Sequence, residues 1–546
     1  MSPARLLSAV LLTAVAGTVA GAYPAAAATA PSDGATFTVT SVNSGKLLDV
    51  VGSSTADGAQ VIQYAARGQA NQRWTTRVAA GGAYTVVNAH SGKCLAVSGA
   101  STAAGAAVVQ STCVAGATEQ RWSVATTGGG ISTVRSVRSN LCLDVPARSR
   151  ADGALVEQWT CNGGTNQQWR FDTYPGTGTR VGAWSTGLSP GGIGFDNQTV
   201  RQIVHVSAGG SAPQLRVSNL FGSGTLSIGH VDVAVQASGG TAVTGSHRAV
   251  TFGGSGSLSL PTGQERVSDS INLTVDADRN LLVSIHLSTS ITSTSWHSGA
   301  TGTTWVSTAG DHAAEDGTGN YPTTNTSWFL LAGLTVVSPT AGSTLVAFGD
   351  SITDGYGSTN NTNRRYPDHL ARRLVAASGG PRLGVVNVGI GGNRVLTDAG
   401  TVYGYSALHR FSRDALGQPG VSQVLLLEGV NDIRGSTVTA QQIISAYQTL
   451  IAQAHGAGVA IHGGTILAFN GSSGWTTTQE NVRTSINAWI RTSGAFDSVV
   501  DFDAALRDPA SPTRLLPAYD RGDHLHPNDA GYAAMANAVD LSRLRY

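Results

Sequence analysis

Lysine is nearly absent from this chain of 546 residues. It occurs only at Lys46 and Lys93, so arginine makes up almost all of the 34 basic residues. Charge of either sign is scarce: 12% of residues are charged, and the formal net charge is +1. No segment carries a block of like charge. That argues against nucleic-acid binding through a basic surface. Beyond the first 28 residues no apolar run is long enough to span a bilayer. Cysteine stops at Cys161, which excludes a thiol nucleophile from the C-terminal third. There is no Walker loop and no clustered metal-ligand pattern, so neither ATP nor a metal is implied.

Glycine, in contrast, is abundant at 69 residues, spread along the chain without a collagen-like period. With 41% apolar residues the chain can bury real cores. Its length suggests three or so domains. Residues 1–28 read as a secretory signal: Arg5 supplies the positive start, Leu6 to Val19 form a short apolar run, and Ala25 to Ala28 offer small residues for cleavage. The expectation is a secreted, extracellular protein with no membrane span.

Three segments share a pattern: KLLDV…VIQYAA…NQRW, KCLAV…VVQSTC…EQRW and LCLDV…VEQWTC…NQQW. Gln-x-Trp recurs at Gln72–Trp74, Gln120–Trp122 and Gln167–Trp169. Each unit has short strands joined by glycine-rich turns and cannot bury its apolar face alone, whereas three copies around one axis can. The four cysteines, Cys94, Cys113, Cys142 and Cys161, allow three pairings, and the repeat favours 94–113 and 142–161. A zinc site would want closer cysteine pairs and nearby histidines. The first repeat has Leu47 and Ala66 at the cysteine positions, so it lacks a bridge.

Residues 35–172 resemble the ricin-B-type β-trefoil lectin module. That resemblance implies sugar sites built from an Asp, an aromatic and an Asn-Gln pair. Carboxylate and amide groups bind hydroxyls, and an aromatic face stacks on a sugar ring. The first repeat offers Asp49, Tyr64, Asn71 and Gln72, and the third offers Asp144, Trp159, Asn166 and Gln167. The middle repeat has Ala96, Ser111 and Glu119 instead, so two sugar sites are expected, with a polysaccharide or glycan as partner.

Tyr174 to Thr179 reads as a linker. Residues 180–340 alternate apolar and polar in short runs such as Gln202–Val206, Gln214–Val217, His230–Val235 and Asn280–His286, which argues for a β-sandwich. Gly187-Leu-Ser189-Pro-Gly191 fits the nucleophile-elbow pattern, but no helical pattern follows, and it reads as a turn. His297, beside Trp296, reads as an ordinary loop histidine, with a cleft-lining role as the alternative.

From Leu345 strand-like runs alternate with helix-like ones. Strands are expected at 345–348, 385–388, 424–427, 459–461 and 499–502, and helices at 367–377, 440–455, 478–493 and 529–543. This alternation implies a parallel sheet covered on both faces, with ligands at the carboxyl ends of the strands. Four segments can meet there: Gly349-Asp350-Ser351, Gly389 to Asn393, Glu428 to Asp432, and Asp520 to Asn528. Together they supply a hydroxyl, an imidazole, a carboxylate and amide donors, the groups acyl transfer requires.

In order and content these segments resemble the four signature blocks of the SGNH (GDSL-type) hydrolases, over residues 343–546. The resemblance implies a three-layer, flavodoxin-like α/β sheet. It makes Ser351 the nucleophile, His526 the general base and Asp523 its orienting carboxylate. The oxyanion donors would be the Ser351 and Gly392 N–H groups and the Asn431 side chain, with Gly391 the adjacent alternative. His524 with Asp520 is a rival base pair. Asp354 and Glu428 receive no role. The architecture expected is therefore multidomain: signal 1–28, β-trefoil 35–172, β-sandwich 180–340 and SGNH domain 343–546. The activity expected is a serine esterase with no cofactor, acting on an esterified, for example acetylated, polysaccharide. The alternatives are a lipase or phospholipase on lipid esters, and a lectin with an inert hydrolase domain.

Overall fold

The computed structural model describes residue 31 and residues 33–67, 69–127, 131–173, 178–377, 382–435 and 437–544. The signal segment and most of the linker lie outside these residues. Among the described residues, no helix is long and apolar enough to cross a membrane.

Residues 35–173 form a threefold β-trefoil in one continuous antiparallel sheet. Each Gln-x-Trp tryptophan is fully buried in the shared core. Trp74, Trp122 and Trp169 donate their indole N–H to the carbonyls of Leu48, Leu95 and Leu143 at 3.0, 2.9 and 3.0 Å. Neighbouring repeats are linked by a second glutamine. Gln63 donates to Ser149 and Ala151 carbonyls of the third repeat, Gln110 to Ser54 and Ala56 of the first, and Gln158 to Ser101 and Ala103 of the second. Disulfides join Cys94 to Cys113 and Cys142 to Cys161, with Cα atoms 5.1 and 5.2 Å apart.

The middle region holds two large antiparallel sheets and a two-stranded ribbon that pairs Trp296–His297 with Trp328–Phe329. One large sheet is built on Thr179–Ser185, Leu331–Ser338 and Gly210–Asn219, the other on Gln198–Val206, Arg279–Leu287 and Leu226–Ser238. Val181, Leu215 and Leu334 from the first share one core with Val200, Val231 and Val283 from the second. The first strand already begins at Thr179.

The last region is a five-stranded parallel sheet. In chain order its strands are Ser343–Gly349, Leu383–Asn387, Val421–Leu427, Ala460–Gly464 and Ser498–Val500, arranged 2-1-3-4-5. Helices Tyr366–Ala376, Ala440–Gly456, Thr477–Thr492 and Asp529–Ala538 cover it. Capping boxes start the second and third: Thr439 with Gln442 and Thr476 with Gln479 each satisfy orphan N–H groups reciprocally.

Two expected elements end early. The helix expected over 529–543 stops at Ala538, because Asp540 accepts from the Ser542 N–H and hydroxyl and caps a separate 3₁₀ turn. The strand expected over 499–502 stops at Val500, because Asp501 caps a helix at Phe502–Leu506 by accepting from the Ala504 N–H.

The sandwich packs directly on the parallel sheet. Gly182 N–H donates to Thr344 Oγ1 at 2.8 Å, and Val385 N–H donates to Ser207 Oγ at 3.0 Å. The backbones approach so closely that a Cβ on Gly384 would lie 2.0 Å from the Gly182 carbonyl oxygen. Only glycine fits there.

Candidate active site

The first strand delivers Ser351 to the carboxyl rim of the sheet. Asp350 caps the one-turn helix Ser351–Asp354 by accepting from Ile352 N–H at 2.9 Å, and Gly355 ends it in the left-handed region at φ +94°. Ser351 Oγ lies 2.9 Å from His526 Nε2. His526 Nδ1 lies 2.8 Å from Asp523 Oδ2, and the other Asp523 oxygen accepts the backbone N–H groups of Leu525 and His526 at 3.1 and 2.9 Å. Facing a carboxylate, Nδ1 carries the proton, which leaves the Nε2 lone pair toward the serine. The Tyr356 ring packs against the imidazole, with centroids 4.7 Å apart.

Burial pushes the His526 pKa below the ordinary imidazole value, although Asp523 opposes the shift. The ring is therefore neutral at neutral pH, as a proton acceptor must be. A hydrolysis that uses this ring as its base should be lost as pH falls through this lowered value, so the acid limb of its kcat/KM lies below pH 6.5. A pH–rate profile on a small soluble ester measures it. A limb above 6.5 would contradict the assignment.

His524 is turned away. Its Nδ1 meets Asp520 Oδ2 at 2.5 Å, and Asp520 also accepts from the Gly522 N–H, so this pair clips the loop rather than facing Ser351. The second strand leads to Gly392, at φ +74°. A Cβ there would lie 2.2 Å from the Tyr403 ring. Gly391 has no such constraint; its Cβ would meet only an Asp354 oxygen at 3.7 Å. The third strand leads to Asn431, whose side-chain amide donates to the Asn393 carbonyl at 2.9 Å. Ser351, Gly392, Asn431, Asp523 and His526 all line one cleft of 690 Å³. The N–H groups of Ser351 and Gly392 have no protein acceptor among the described residues.

Behind the rim lies a residue the sequence reading did not find. Arg410 is fully buried and donates to the carbonyls of Gly349 and Val388, at the ends of the first two strands, and to Asn393 Oδ1. It ties together the segments carrying Ser351, Gly392 and Asn431. Its sequence context, Leu408-His-Arg-Phe411, carries no signal for this. Glu428 is buried 3.7 Å from Arg410; burial and then Asp350 hold its pKa well above the usual carboxylate range. Asp350 is itself pushed up to about 7, chiefly by burial.

His297 is not a loop residue. It lies in the short strand Trp296–His297 and is fully buried between the sandwich and the parallel sheet. Nδ1 contacts the Gly187 carbonyl at 2.8 Å, and Nε2 contacts Asp354 Oδ1 at 2.9 Å. A carbonyl accepts only, so Nδ1 donates, and the Nε2–carboxylate contact needs a second proton. Burial alone would lower the imidazole pKa, but Asp354 and the Gly187 carbonyl outweigh it and the net shift is upward. Asp354, with Ser298 and Gly299, lines the cleft, so the middle region forms part of its wall. Ser189 is buried nearby, its N–H on the Trp296 carbonyl at 2.7 Å, with no helix after it.

In the trefoil, Asp49 is buried and accepts from Asn71 at 2.9 Å and Gln72 at 2.8 Å. Asp144 accepts from Asn166 at 2.7 Å. Burial raises the pKa of both carboxyls. Gln72 and Gln167 are buried too, and each clamps its loop: Gln72 bonds Arg67 N–H and the Ala65 carbonyl, and Gln167 bonds Asn162 N–H and the Thr160 carbonyl. Gln120 makes the same bonds to Val114 and Thr112 in the middle repeat, so this glutamine serves the loop. The two aromatics differ. Trp159 is 43% exposed, whereas the Arg67 guanidinium lies 3.8 Å over the Tyr64 ring.

Fold and site together define a multidomain hydrolase with a lectin-like module. Residues 347–534 match the GDSL-like lipase/acylhydrolase family model, and residues 35–169 match that of the ricin-type β-trefoil lectin domain. The chain thus carries a GDSL-like lipase/acylhydrolase domain and a ricin-type β-trefoil lectin domain. Solved structures similar to part of the chain include a designed threefold-symmetric protein, ThreeFoil, at 41% identity over 26% of this chain and 99% of that one, TM-score 0.25. An exo-β-1,3-galactanase from Clostridium thermocellum shares 32% identity over 26% of this chain and 31% of that one, TM-score 0.26. A Macrolepiota procera ricin B-like lectin in complex with lactose shares 26% over 27% of this chain and 100% of that one, TM-score 0.24. No curated protein matches the chain.

Proposed function

We propose that this protein is a secreted serine esterase that cleaves carboxylic esters on a polysaccharide held by its trefoil. The observation that carries the reading is the unbroken series Ser351 Oγ, His526, Asp523 at 2.9 and 2.8 Å. Ser351 Oγ attacks the acyl carbon as its proton passes to His526 Nε2. The N–H groups of Ser351 and Gly392 and the Asn431 amide take the negative charge that develops on the carbonyl oxygen. His526 then gives its proton to the departing sugar alcohol. Water, deprotonated by the same imidazole, releases the acid and frees the serine. Asp523 steadies the imidazolium throughout.

The trefoil would keep this chemistry near an insoluble polymer. Two weak sites on one module act together, because the second contact is intramolecular once the first has formed. The test is release of acid from acetylated xylan, pectin and phospholipid, with pull-down on polysaccharide resins. Asp49→Ala with Asp144→Ala should lower resin binding about tenfold or more. Turnover of soluble p-nitrophenyl acetate should hold. Trp159→Ala, which disturbs no buried bond, should weaken the third-repeat site alone. Wild-type resin binding by the double variant would make the trefoil a spacer.

A further inference from the structure

The carboxylates of the cleft are ion-paired and, among the described residues, its arginines are not. Asp354 is held by His297 at 2.9 Å, and Asp523 by His526 at 2.8 Å and Arg521 at 3.3 Å. Arg394 and Arg434 line the same cleft, and among the described residues neither has a carboxylate within ion-pair distance. The acid that Arg394 acts on through its charge, Asp432, already accepts the N–H groups of Val395 and Leu396 at 2.8 and 3.1 Å. The Arg434 guanidinium meets the protein at the Ser473 carbonyl, 3.5 Å away. That of Arg394 lies over the bare Cα of Gly435, where a Cβ would sit 2.7 Å from Nη2. Two like charges in one concavity repel each other, and an anion bound between them relieves that repulsion.

The cleft also presents a ring face: Tyr403 is 50% exposed, whereas the Tyr356 ring is already flanked by the His526 imidazole at 4.7 Å and the Arg521 guanidinium at 4.7 Å. A pyranose ring stacks on such a face through its C–H groups, while a carboxylate on the ring meets a guanidinium through paired hydrogen bonds. Aliphatic lining is limited to Val402 and Leu525, too little for a long acyl chain. Positive charge recurs at Arg67 over the first-repeat aromatic, Tyr64.

We propose that Arg394 and Arg434 form an anion subsite of the cleft, and that the ester is carried on an acidic, uronate-containing saccharide. The proposal rests on the esterase reading. Its test compares kcat/KM on acetylated oligogalacturonate and on an acetylated xylo-oligosaccharide of matched length, for wild type, Arg394→Gln, Arg434→Gln and both together. Arg→Lys versions and thermal unfolding serve as checks on charge and folding. Wild type should favour the anionic substrate. That ratio should drop about tenfold in each Gln variant, mainly through KM, and should shrink with added salt in wild type. The Lys versions should keep part of it.

No wild-type preference, or a preference that survives the double substitution, would overturn the subsite. Arginine-dependent turnover of phosphatidylglycerol vesicles in place of the oligogalacturonate would overturn the saccharide assignment in favour of a lipid. Failure of the esterase reading itself looks different: wild type would not turn over p-nitrophenyl acetate at all.

Discussion

Ser351→Ala should lower kcat for ester hydrolysis by roughly 10⁶-fold, the scale reached when a triad serine is removed. The Ser351 hydroxyl has one side-chain partner, His526, so its loss leaves no buried group stranded and the fold should stand. Thermal unfolding of the variant should overlay that of wild type, and retention on polysaccharide resin should match. A fluorophosphonate probe should label wild type on the peptide containing Ser351 and leave the variant unlabelled. Activity near wild type would place the nucleophile elsewhere. Ser189 would then be tested, although its burial beneath Trp296 makes it a poor attacker.

His297→Ala should be the most damaging single change outside the cleft chemistry. It leaves the Asp354 carboxylate buried at the seam with no counter-charge, and breaking such a pair costs about 3–5 kcal/mol. The sign of the pH dependence follows from the raised imidazole pKa. The pair contributes fully below the ordinary value of 6.5 and fades as pH rises through the folded value. The gap between variant and wild type should therefore be widest in acid and narrow toward alkaline pH. Calorimetric scans at matched rates across pH 5.5–9 would measure it. A gap that widens with pH would mean that the imidazole is neutral in the fold.

Much of this architecture was legible because repetition and block order are properties of sequence. The Gln-x-Trp triplet marks three copies of one unit, and the pairing of the cysteines follows from the repeat. The parallel sheet was legible from strand–helix alternation, and the segments placed at its rim do meet there. What stayed hidden lies where tertiary contact decides. Gln63, Gln110 and Gln158 occur at matching places in all three repeats, yet nothing local says that each reaches into a neighbouring repeat. His297 and Asp354 are 57 residues apart, and no periodicity joins them. Arg410 is a basic residue in a short helix, a pattern that ordinarily means solvent; its burial depends on the two strand ends it bonds. The early ends of the last strand and last helix came from Asp501 and Asp540, whose side chains compete locally for backbone N–H groups.

The glutamine links between trefoil repeats form a closed cycle: the first repeat bonds the third, the second bonds the first, and the third bonds the second. A cycle has no privileged starting point. The entering strand Thr36–Ser41 also pairs along its length with the leaving strand Gln168–Thr173, Val39 opposite Phe171, so the module takes in and returns the chain at one place. It can be cut open between any two repeats and rejoined at its old ends without breaking a single link. For the same reason it can be spliced beside an unrelated catalytic domain through a few residues of connecting chain, leaving that domain's own folding undisturbed.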